Sequence, residues 1–67
     1  MDSTLLKWHM EQHGDTDKTL AKALGMHSHT LYMKRKGEKQ QFTQSEIKTI
    51  AIRYNLTSED INKIFFT

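Results

Sequence analysis

The sequence predicts an all-α domain of five short helices, on three observations. Gly14, Gly25 and Gly37 are its only glycines, spaced 11 and 12 residues apart, and glycine just past a periodic segment closes a helix without a Cβ clash. Apolar residues recur at spacings of three and four, as in Leu20, Ala21 and Leu24 and again in Ile47, Ile50, Ala51 and Tyr54. Valine and proline are absent, and no stretch alternates apolar and polar residues for long enough to make a strand. Sixty-seven residues suffice for one domain, 1–67, and are too few for two.

The first helix is expected from Ser3 to His13, capped by Asp2 or Ser3, with Leu6 and Met10 one turn apart. The second runs from Asp17 to Leu24 behind the cap Thr16, and the third from Ser28 to Lys36 with Leu31 as its clearest apolar anchor. Thr43 and Glu46 form a Thr-x-x-Glu capping box, in which each side chain satisfies an amide left free by the first turn. The fourth helix then runs from Gln44 to Tyr54, and Asn55 is a left-handed terminator. Thr57 caps the fifth, Ser58 to Phe66, whose stripe is Ile61, Ile64 and Phe65. Glu59 and Asp60 lie in its first turn, where the helix dipole favours acids.

Composition removes several functions. A chain this small buries only ~60% of its unfolded surface, so a large walled substrate cavity is not expected. Cysteine is absent, and with it disulfide frameworks, thiolate zinc sites and cysteine nucleophiles. There is no apolar run near 18 residues and no charged-then-apolar leader, which predicts a soluble cytoplasmic domain with no membrane contact. His9 and His13 are four apart and His27 and His29 flank a turn, but no third ligand has motif spacing to them, so no metal site is expected. No serine sits in a glycine-flanked elbow, and the glycines are too dispersed for a phosphate loop. Neither enzyme activity nor a cofactor is expected.

Charge is distributed unevenly. Net charge is only +2, yet between His27 and Phe42 the basic residues Lys34, Arg35, Lys36 and Lys39 face Glu38 alone. Elsewhere six basic residues face seven acids. The positive charge is therefore local, and His27 and His29 stand beside it. A local basic patch is the usual electrostatic footprint of a nucleic-acid contact.

Residues 17–36 carry a further pattern. In Asp17-Lys-Thr-Leu-Ala-Lys-Ala-Leu-Gly-Met-His-Ser-His-Thr-Leu-Tyr-Met-Lys-Arg-Lys36, Ala21 is small where a crossing helix comes close and Gly25 supplies a sharp turn. Leu20, Leu24, Met26 and Leu31 close the space between the two helices. The segment resembles the Cro/CI-type (XRE-like) helix-turn-helix family of phage and bacterial regulators. The likeness continues through Gly37-Glu-Lys-Gln-Gln-Phe-Thr-Gln-Ser-Glu-Ile-Lys-Thr-Ile-Ala51 and Asn55-Leu-Thr-Ser-Glu-Asp-Ile-Asn-Lys-Ile-Phe-Phe66, and so covers nearly the whole chain from Leu5.

The resemblance implies a lambda-repressor-like domain that binds an operator in double-stranded DNA, in the cytoplasm or nucleoid of a bacterial or phage-infected cell. The third helix would enter the major groove, and a homodimer would read two half-sites. Carried over by position, His27, Ser28 and His29 stand at the helix entrance. Tyr32, Met33 and Lys36 follow along the exposed side, flanked by Lys34 and Arg35. Ser28 would donate to a phosphate or a base and Thr30 to a phosphate, Arg35 would make the one bidentate contact to guanine, and Tyr32 or Met33 would press on a thymine methyl. Lys39, Gln40 and Gln41 would meet the backbone from the loop. Phe66 and Ile52, which fall off the apolar stripes, are the candidate dimer-interface residues, with Trp8 at the core edge or an interface.

The chain departs from the family pattern at two places. Asp17 stands where many relatives carry glutamine, and a carboxylate there repels the DNA backbone unless it merely caps the helix; Asp15 adds to the repulsion. Relatives also bury an apolar residue near the end of the third helix. Here either Met33 takes that place, or the stem of Arg35 packs with its head in solvent. The acids point to an alternative function, an antirepressor or modulator that binds a partner repressor protein rather than DNA.

Overall fold

The computed structural model describes residues 1–37 and 40–67. In chain order it forms α1 (Ser3–Gln12), α2 (Asp17–Leu24), α3 (Ser28–Lys36), α4 (Gln44–Tyr54) and α5 (Ser58–Phe65), with no strand among the described residues. Three bounds match the sequence expectation in full. Helices α1 and α5 each stop one residue early, because His13 and Phe66 leave helical geometry and act as C-caps.

Four of the five helices start at a side chain that takes up a free first-turn amide. Asp2 accepts the Leu5 N–H at 3.0 Å. Thr43 and Glu46 form the expected reciprocal box, at 3.2 and 2.9 Å. Two further boxes stand where the residue three positions into the helix is neither Glu nor Gln: Thr16 with Thr19, and Thr57 with Asp60. Only α3 lacks such a bond, since the side chain of its N-cap His27 makes none. Helices α2 and α3 end at Gly25 and Gly37, and α4 ends at Asn55, all three in the left-handed region.

Every helix sends at least one side chain into a single core. Leu6 and Met10 come from α1, Leu20 and Ala21 from α2, Leu31 from α3, Ile50 and Tyr54 from α4, and Ile64 from α5. Leu5, Leu24, Met26, Phe42, Leu56 and Phe65 are partly buried around it. Helix α2 lies against α3 across the turn at Gly25, where nothing comes within 4 Å of the position a Cβ would take. Helix α1 packs on both α3 and α5, and α4 packs on α5. The Asp2 N–H donates to the Ile64 carbonyl at 2.7 Å and the Met1 ammonium to the Thr67 carbonyl at 3.0 Å, which brings the two chain ends together. The Cα radius of gyration is 10.6 Å.

Candidate nucleic-acid interface

Helix α3 is held by one fully buried side chain, Leu31. Because 3.6 residues make a turn, anchoring at Leu31 turns the residues on the opposite side outward. His27, Ser28, His29, Tyr32 and Lys36 are exposed, and Thr30 and Met33 are half-buried. His29, Tyr32 and Lys36 form one edge. The His29 and Tyr32 rings stack at 6.4 Å, and the Lys36 ammonium lies 5.1 Å from the Tyr32 ring centre. At the start of this edge the α3 amides carry no side-chain cap, so the positive end of the helix dipole faces outward, the arrangement that favours an anion.

Two of the expected contact residues point elsewhere. The Lys34 ammonium donates to Glu46 Oε1 on α4 at 2.7 Å, and its side chain is only 11% exposed. Arg35 Nη2 donates to Asp17 Oδ2 on α2 at 3.0 Å, and its side chain is 14% exposed. Of the two alternatives for the end of α3, the one with the head of Arg35 in solvent is corrected, since the guanidinium folds back onto the carboxylate at the start of α2, and Met33 is half-buried. Glu46 is tied from two sides, for Oε1 also accepts the Thr43 N–H. Burial raises its pKa, but the bonds from Lys34 and Thr43 outweigh it and hold the carboxyl below its usual range. The outward face of α3 is therefore less basic than the residue count implies. Gln40 and Gln41 are exposed in the loop, whereas Lys39 lies outside the described residues.

The acids read as repulsive are also engaged. Asp15 accepts Arg53 Nε and Nη2, each at 2.7 Å, the Tyr54 hydroxyl at 2.7 Å and the Thr19 hydroxyl at 2.8 Å. Its side chain is 6% exposed. The Arg53 hydrogen bonds, helped by Tyr54 and Thr19, outweigh burial and hold its carboxyl well below the usual carboxylate range. Burial, together with the bond to Asp15, raises the Tyr54 phenol well above its ordinary value. This network fastens the α1–α2 loop to the end of α4. Sequence reasoning missed it because its partners are 38 and 39 residues apart, and no local pattern joins them. Asp15 thus offers little negative surface to a basic partner, and the Asp17 carboxylate is shared with Arg35.

The remaining candidates sit apart from α3. His9 meets the edge of Trp8 at 4.9 Å, and His13 packs on Tyr54 at 4.8 Å. Ile52 is 73% exposed and Phe66 66%. Phe66 lines a pocket with Met1, Phe42, Ile47 and Phe65 at the joined chain ends. Trp8, half-exposed, borders a second hollow with Thr4 and Leu5. No helix among the described residues is long and apolar enough to cross a membrane. Comparison with models of known families, with curated proteins and with solved structures returns no match.

Proposed function

We propose that this chain is a sequence-specific DNA-binding regulator of transcription, Cro-like or repressor-like, in which α2 and α3 act as a helix-turn-helix and α3 lies in the major groove of an operator. The observation that carries the proposal is the presentation of α3. It is the helix without a side-chain cap, Leu31 is its one fully buried side chain, and it turns a continuous polar and aromatic edge to solvent. Nine residues make a rod roughly 13 Å long, a size the major groove admits. In this reading Ser28 and the first amides of α3 meet phosphate, His29 and Tyr32 meet base edges, and Lys36 and Gln40 meet the backbone. A homodimer through the exposed Phe66 or Ile52 would present two such edges to two half-sites.

Electrophoretic retardation of the chain's own upstream DNA tests the proposal. Expected is a shift at low salt whose affinity falls linearly on logarithmic axes as salt rises. A chain that shifts no duplex alone but co-purifies with a repressor protein would contradict it and favour the modulator reading.

A further inference from the structure

The two ion pairs that draw basic side chains away from the outer face of α3 are not alike. Glu46 uses one oxygen to hold both Lys34 and the Thr43 amide, so separating it from Lys34 disturbs the capping box that starts α4. The Arg35–Asp17 pair is built on one prong. Arg35 Nη2 meets Asp17 Oδ2, while Arg35 Nε and Asp17 Oδ1 are both buried and have no hydrogen-bond partner. A guanidinium can present two parallel N–H donors to an acceptor pair, and here the second is unused. The guanidinium carbon is also 5.7 Å from the ring centre of Tyr32, on the edge assigned to DNA. The held guanidinium thus already adjoins that edge.

We propose that Asp17 acts as an internal substitute for phosphate, holding Arg35 off the DNA and so setting the affinity of α3 below what its sequence allows. The inference rests on the DNA-binding reading above. The carboxylate has the advantage of position: it is fixed at the first residue of α2, and although its own side chain is one third exposed, the guanidinium it holds is only 14% exposed, so the pair is screened less than one at an open surface. Released, it would be left negative beside the DNA backbone. Arg35 is therefore a reserve contact, and neutralising Asp17 makes it available.

The test is a set of four full-length proteins: wild type, Asp17→Asn, Arg35→Ala and the double variant. Binding to a labelled duplex is measured across a salt series, and folding is checked by circular dichroism melting. Asp17→Asn is expected to steepen the log affinity against log salt slope by about 0.9, the value for one more phosphate neutralised. Arg35→Ala is expected to change the wild-type slope far less than that of Asp17→Asn, whose whole gain it cancels. Asp17→Ser, which keeps a residue suited to a helix start, is expected to repeat the gain if Asn at this position disturbs folding. A gain that survives in the double variant would overturn the proposal, since it would reflect removal of a repulsive charge alone. An equal loss of slope on Arg35→Ala in both backgrounds would also overturn it, because Arg35 would then already be on the DNA. Either result leaves the DNA reading standing; folded proteins that all fail to bind duplex would end both.

Discussion

Asp15 accepts four hydrogen bonds, two from Arg53 and one each from Tyr54 and Thr19. A nearly buried carboxylate with so many donors is costly to replace: Asn keeps one acceptor oxygen, but its NH2 meets the two donors of the other oxygen and leaves them without an acceptor. Asp15→Asn is expected to lower folding stability by about 1–3 kcal/mol, measured by urea or thermal unfolding. The sign of its pH dependence follows from the depressed pKa. In the unfolded chain the group titrates near the ordinary aspartate value of about 3.9. Its contribution is present above that value and is lost as pH falls toward the folded pKa. The stability gap between wild type and Asp15→Asn should therefore narrow as pH drops from about 5 to 2; a constant gap would contradict this. Glu46 and Asp60, also held below their usual range, act in the same direction. None of this was legible in the sequence, where Asp15 reads as an acid near a DNA-facing helix. Its partners lie at the far end of another element, and only the packed chain brings them to it.

Elements were far more legible, because what starts and stops a helix is local chemistry. Asp2, Thr16, Thr43 and Thr57 cap where their residue types say they should, and Gly25, Gly37 and Asn55 take the left-handed conformation that ends a helix. The reciprocal partners Thr19 and Asp60 escaped notice since both are shorter than the usual Glu or Gln, yet each still reaches back one turn. Gly25 sets the corner between α2 and α3 at φ +70° with open space around it. Gly25→Ala should thus cost about 1–2 kcal/mol through the backbone alone, with no steric clash to relieve. Leu31→Ala should cost about 2–5 kcal/mol, for Leu31 is the only fully buried side chain that α3 contributes. Thermal melting of the two variants checks both values. Near-equal melting of Leu31→Ala and wild type would mean that α3 is held by something other than its core anchor.

At the scale of the molecule, five helices share one core, and the periodic apolar positions were enough to assign it. Which basic side chains face outward was not assignable in the same way. Lys34 and Arg35 adjoin the exposed edge in sequence, but acids on α4 and α2 draw them inward. Pairings of that kind depend on how helices cross rather than on spacing along any one of them. What the packing leaves outward is the start of α3 and the edge through His29, Tyr32 and Lys36. Ser28 stands at the first helical position there, exposed, with a free first turn behind it. An acid at that position suits the helix dipole and should preserve or strengthen the fold, while repelling a phosphate. Binding of duplex DNA by Ser28→Glu, compared with wild type at the same low salt, is accordingly the most direct measurement. Strong loss of binding with melting temperature kept or raised is the result expected. Undiminished binding by a folded Ser28→Glu protein would show that the start of α3 is not where DNA sits.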